Sequence, residues 1–201
     1  MTKADAVAIA GTINLTAGDM PGYSASPATP STGDDPLGAR FDRCAGTVPT
    51  SKAVAEVQSD DFERASQAGF DGVSSDVLVM PNAALARKDL RAAGSKRARK
   101  CMAAAFTGQK AVGGVKIVSA KVTSLPAPVA NVVGIRIKMR VAGRGVTVPM
   151  YTDFFVFARG PVETAVGFTS GPSPPLRAEE KRLVGIVKTR LDQADFTPAV
   201  L

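Results

Sequence analysis

From Val132 to Val141 the chain alternates with period two. Val133, Ile135, Ile137, Met139 and Val141 fall on one face, and Gly134, Arg136, Lys138 and Arg140 on the other. Such alternation marks a strand with one covered and one open face. Gly143-Arg144-Gly145 predicts a hairpin turn into Val146 to Arg159, and Gly160-Pro161 turns that strand into Val162 to Thr169. Val115 to Val122 is a further strand, separated from Val132 by a loop with two prolines, and Ala53 to Gln58 and Val73 to Met80 look extended. A turn centred on Gly143-Arg144 pairs Val141 with Val146, Met139 with Val148 and Ile137 with Met150, keeping both apolar sets on one face. In that register Arg136 lies opposite Tyr151 and diagonally near Asp153.

Helical periodicity occupies other stretches. Asp35 is a good N-cap before Pro36, and Leu37, Phe41, Cys44 and Ala45 then share a face up to Gly46. Cys44 is therefore expected to point to the core. Pro81-Asn82 opens an Ala-rich helical stretch to about Thr107, interrupted near Gly94-Ser95, in which Ala98, Cys101, Met102, Ala105 and Phe106 follow the helical period. A last helix runs from about Leu176 to Asp192, with Leu183, Ile186, Val187 and Leu191 as its apolar stripe. Near the start, Ile13 and Leu15 suggest a short strand, and Thr16 caps a turn that ends at Met20-Pro21-Gly22. The pattern predicts an α+β fold in which an antiparallel sheet of about five strands packs against two or three helices. A single domain is expected over residues 34–195, after a weakly ordered lead-in over 1–33 and before a loose tail over 196–201.

Composition narrows the chemistry. The 201 residues are 45% hydrophobic and include no Trp, so the core is aliphatic with a few Phe. There is no His, so a Ser-His-Asp or Cys-His pair within one chain is excluded, and no imidazole can ligate zinc. A domain without catalytic residues, metal or cofactor is the expectation. No run of about 18 apolar residues could form a transmembrane helix, and the apolar stretch from Ala6 to Ala10 is too short for an export signal. The formal net charge of +7 favours anionic partners, among them nucleic acid, acidic lipid headgroups and cell-wall phosphates.

Three constellations are candidates. Cys44 and Cys101 both lie on apolar helical faces, so they are either a disulfide between two helices or two buried thiols. Arg136, Lys138 and Arg140, with Arg144 in the turn, are a candidate anion-binding stripe or an ordinary solvated face. Asp153, between Tyr151 and Phe155, is either a buried acid or the ion-pair partner of Arg136. The basic residues of the Ala-rich helix, from Arg87 to Lys100, have no interleaved aromatics, which makes nucleic acid an unfavoured partner. Asp34-Asp35, Asp60-Asp61-Glu63 and Glu179-Glu180 lack calcium-loop spacing, and Gly113-Gly114 lacks the Gly-Lys-Ser/Thr of a phosphate loop.

The opening Ile13-Asn14-Leu15-Thr16-Ala17-Gly18-Asp19-Met20-Pro21-Gly22 is similar to the start of actinobacterial envelope proteins. Arg43-Cys44-Ala45-Gly46, the strand at Val73-Ser74-Ser75-Asp76-Val77 and the helix carrying Cys101 follow in the same order. Together they resemble uncharacterised exported or lipoprotein-like proteins of Actinomycetota. More distantly they resemble the extracellular sensor domains of mycobacterial serine/threonine kinases and LpqN-type lipoproteins with PsbP-like folds. The resemblance implies an extracytoplasmic, disulfide-bearing, non-enzymatic domain that binds an unassigned ligand, with an anionic envelope component as one candidate partner.

Overall fold

The computed structural model describes residues 1–28, 36–66, 69–107, 115–143 and 145–196. The Asp35 cap, the Leu37 side chain, Asp34, Gly113-Gly114, Arg144 and the tail beyond Phe196 lie outside them. The described residues form five α-helices: α1 (Lys3–Ile13), α2 (Pro36–Ala45), α3 (Ala83–Ala93), α4 (Lys96–Thr107) and α5 (Arg177–Gln193). They also form eight strands: β1 (Ser24–Ser26), β2 (Ala55–Gln58), β3 (Asp61–Ser66), β4 (Gly69–Val79), β5 (Lys116–Leu125), β6 (Val133–Gly143), β7 (Val146–Arg159) and β8 (Val162–Gly171).

All eight strands belong to one antiparallel sheet, ordered β1-β3-β4-β8-β7-β6-β5, with β2 on the free upper half of the β4 edge. The α+β class expected from the pattern holds, but the sheet has eight strands rather than about five. The additions are β1 and β3, short and largely polar segments at the edge. Edge strands are solvated on more sides and carry little of the alternation that betrays a strand.

Helices cover both faces. On one face Val73, Val77, Val79, Phe155, Phe157, Val162, Val166 and Phe168 pack with Ala6, Ala10 and Ile13 of α1 and with Leu183, Val184, Val187 and Leu191 of α5. On the other, α3 lies over β7 and β8, its Ala86 clustered with Leu78 of β4 and with Met80, and α4 lies along β5. Central strands covered on both sides are apolar on both sides, as in the unbroken run Phe154-Phe155-Val156-Phe157-Ala158 of β7.

The start of the chain differs from expectation. The residues taken as a short strand around Ile13 end helix α1, and the supposed lead-in supplies fully buried Ala6, Ala10 and Ile13 to the core. The spacing of those three is helical, and Thr2 and Asp5 form a capping box, with the Thr2 amide on Asp5 Oδ2 at 2.9 Å and the Asp5 amide on Thr2 Oγ1 at 3.2 Å. Alanine is too small to stand out as a core residue, so the signal was weak. Beyond α1, Arg190 of α5 grips Asp19 through two bonds of 2.8 Å and takes the Asn14 carbonyl at 2.7 Å.

The β6–β7 hairpin pairs two residues out of the expected register. Gly143 pairs with Val146, Val141 with Val148, Met139 with Met150 and Arg136 with Asp153. A shift of two preserves every face and changes every partner. Gly145, at φ +79, adopts the left-handed backbone that a two-residue turn needs.

Cys44 and Cys101 form a disulfide between α2 and α4, with Cα atoms 5.8 Å apart. Ala45, Ala98 and Cys101 are buried beneath it, with Phe41 against them. Cys44 itself is exposed, contrary to its expected core position; its neighbour Ala45 turns inward instead. The bond closes a separation of 57 residues. We expect its reduction, or the Cys44→Ser/Cys101→Ser variant, to lower stability by about 4 kcal/mol. Urea unfolding midpoints with and without reductant measure this.

Candidate functional site

The open part of the α3/α4-covered face holds a groove of about 370 Å³. Its lining includes Phe70, Gly72 and Ser74 of β4, Gly167 and Thr169 of β8, and Thr152 and Phe154 of β7. Glycines on β4 and β8 make room for two rings here, Gly72 standing opposite Thr169 and Gly167 opposite Ser74. A methyl group on Gly72 would sit 3.1 Å from the Phe70 ring, and one on Gly167 would sit 3.3 Å from the Phe154 ring. Two aromatic walls therefore lean over a backbone floor. Ser74, Thr152 and Thr169 offer hydroxyls, and Asp61 and Glu63 stand on the β3 side. Such a surface can stack a flat or sugar-like group and hydrogen-bond its edges. No motif in the sequence pointed to it. The only signal was the pair of glycines within otherwise well-formed strands, which often marks close approach to a ligand or another backbone.

Farther along the same face, under α3, lies a pair of buried carboxylates with the half-buried Asp76 beside it. Asp89 of α3 accepts the Val48 amide, and Glu163 of β8 hydrogen-bonds Asp89. Burial, reinforced by Asp89, pushes Glu163 up to about 9. Glu163 thus holds the proton and donates it to Asp89. Asp76, diagonal to Glu163 on β4, is raised to about 7 by burial and by Glu56. One oxygen each of Asp76 and Glu163 lacks a hydrogen-bond partner among the described residues.

The opposite face carries the candidates read from the sequence. Arg136 and Asp153 sit directly across β6 and β7 and form a bidentate pair, with Arg136 Nε on Asp153 Oδ1 at 2.7 Å and Nη2 on Oδ2. Asp153 is wholly buried, while Arg136 keeps 24% of its side chain exposed. Glu180 of α5, also wholly buried, lies beside Asp153 and is raised to about 8, first by burial and then by that carboxylate. Arg177 closes the chain of charges on Glu180 and reaches the Pro126 carbonyl with its other arm. Arg136 is thus committed to holding Asp153. Lys138 and Arg140 are exposed, and Lys138 Nζ lies 5.5 Å from the Tyr151 ring. Among the described residues, no group of three or more His, Cys, Asp or Glu could hold a metal ion. No helix among them is long and apolar enough to cross a membrane.

With the geometry in view, comparison places the fold. The extracellular domain of PknH from Mycobacterium tuberculosis is similar in structure, with a TM-score of 0.51 over 93% of this chain and 95% of that one, at 12% identity. At that identity the likeness is one of fold. No protein-family model and no curated protein matches the chain.

Glu163, Glu180 and Asp76 are all raised above the values of an unfolded chain, so folding takes up protons. Their contribution is complete below about pH 4 and is lost as the pH rises toward about 9. Thermal melts are expected to give a higher Tm near pH 5 than near pH 8.5. Glu163→Gln should flatten that slope, and a slope unchanged in the variant would contradict the assignment. A second expectation concerns the ion pair. Arg136→Met leaves Asp153 buried without its cation and should cost about 3 kcal/mol in urea unfolding, the low end for a broken buried pair because Arg136 keeps some water.

Proposed function

We propose that this chain is a non-catalytic, extracytoplasmic binding or sensor-like domain of the cell envelope, with the Phe70–Phe154 groove as its ligand-binding surface. The observation that carries the reading is the groove itself: an aromatic-walled hollow over the glycines of the middle strands of the sheet. No His is present to act as a base, and Glu163 and Glu180 are buried under α3 and α5 instead of lining the hollow. Location is supported by the Cys44–Cys101 disulfide, because such bonds persist mainly outside the reducing cytosol. The fold shared with an extracellular domain agrees with it. The resemblance to exported actinobacterial and PsbP-like lipoproteins belongs to the same reading.

Two measurements test it. Protein taken from its native host and analysed by mass spectrometry without reductant should carry the disulfide, and two free thiols would sink the extracytoplasmic assignment. Gly167→Val places a branched side chain on the groove floor against Phe154. Binding of aromatic and saccharide probes, followed by ligand-observed NMR, is expected in the wild type and abolished in the variant, at a retained far-UV spectrum. Equal binding by both proteins would show that the groove is not the site.

A further inference from the structure

Charge is distributed along this chain far from evenly. The 63 residues from Leu90 to Thr152 contain 12 of the 25 Lys and Arg and none of the 18 Asp and Glu. The rest of the chain, with 13 basic against 18 acidic residues, is net negative. The topology gathers the acid-free stretch at one end of the sheet, because β5 is the edge strand, β6 its neighbour and α4 the helix over them.

On the side of β5–β6 away from α4, cross-strand register sets out the cations. Lys121 of β5 stands directly opposite Lys138 of β6, Ser119 opposite Arg140 and Lys116 opposite Ala142. All four basic residues are exposed, and among the described residues none has a carboxylate partner. Arg136, the next cation along β6, is neutralised by Asp153 and so does not compete for an added anion. Like charges placed directly across a ladder, with Cβ atoms about 5 Å apart, oppose pairing. Here no described carboxylate relieves the repulsion between Lys121 and Lys138, and Lys138 has only the Tyr151 ring beside its ammonium group. Directly opposed on one face, the two flexible side chains can bring both ammonium groups onto one tetrahedral anion, with the Arg140 guanidinium one pair along. Tyr151 flanks Lys138 and confines its ammonium group to this side of the sheet.

We propose that the open face of β5–β6 is a phosphate-binding site formed by Lys121, Lys138 and Arg140, with Lys116 extending it along the strands. Both a lipid headgroup and a soluble phosphate carry the required chemistry. The site rests on the reading of this chain as a binding domain, but it uses the opposite face of the sheet from the groove.

The test measures pyrophosphate binding by calorimetry and co-sedimentation with phosphatidylglycerol vesicles, against phosphatidylcholine vesicles, all at about 50 mM salt where charge contacts are strong. Wild-type protein should bind at least one probe, and pyrophosphate or phosphatidylglycerol identifies the source. Lys121→Ser/Lys138→Ser should weaken that binding by about tenfold or more. It should melt no lower than the wild type, since it removes a repulsive pair. Lys96→Ser/Lys100→Ser on α4 removes the same net charge elsewhere and should bind as the wild type does, as should the groove variant Gly167→Val. Absence of binding to both probes overturns the proposal. So does an equal loss in the α4 variant, which would reduce the effect to net charge, or much tighter binding of a DNA oligonucleotide than of either probe. None of these results bears on the groove, whose own variant tests it separately.

Discussion

Ten consecutive pairs, from Phe70 with Gly171 to Val79 with Val162, join β4 to β8 across up to half of the chain's length. The rest of the molecule is arranged around this ladder. It places the hairpins β6–β7–β8 beside the strands of the first half, and it creates two faces wide enough for helices. Because side chains alternate strictly along it, each residue's face is decided once the ladder forms. Val73, Val77 and Val79 then meet α1 and α5, while Leu78 meets α3. The same alternation puts Gly72 and Gly167 on the open stretch of the other face, so the groove is a direct product of this register.

The sheet also separates three electrostatic environments. Under α3, Asp89, Glu163 and Asp76 are held where charge is costly, so a proton is retained. Under α5, Asp153 is paired with Arg136, while Glu180 beside it is raised to about 8 by burial and by that carboxylate. At the β5–β6 edge the cations stand in water without acidic neighbours. The first two environments are structural devices that tie stability to pH. The third has no carboxylate partner among the described residues.

The disulfide belongs to none of these layers. It joins α2 to α4 at the periphery, with Cys44 exposed and Cys101 buried. Its contribution is to the unfolded chain, whose freedom it restricts, and to fastening α2, which makes its principal packing contacts with α4. A small surface helix of ten residues has little apolar area with which to hold itself in place. The covalent tie supplies what its packing does not.

Strong periodic segments were legible from sequence. The long strands β5 to β8, helices α2 to α5 and the break at Gly94-Ser95 announce themselves through period two or 3.6, because each presents a covered and an open face over many residues. The basic side of β6 was visible for the same reason, since Arg136, Lys138 and Arg140 alternate with buried Ile135, Ile137 and Met139. Short or alanine-based elements, β1, β3 and α1, were not, because they bury too little to leave a pattern. Partnership was decided only by the tertiary structure. A two-residue shift at one turn set Arg136 against Asp153, and a bulge and a strand pairing brought Lys121 to face Lys138. The groove needed strands far apart in the chain to set their glycines side by side. Periodicity fixes which side of an element a residue occupies, whereas pairing between distant segments depends on loop closure and packing that no local stretch encodes.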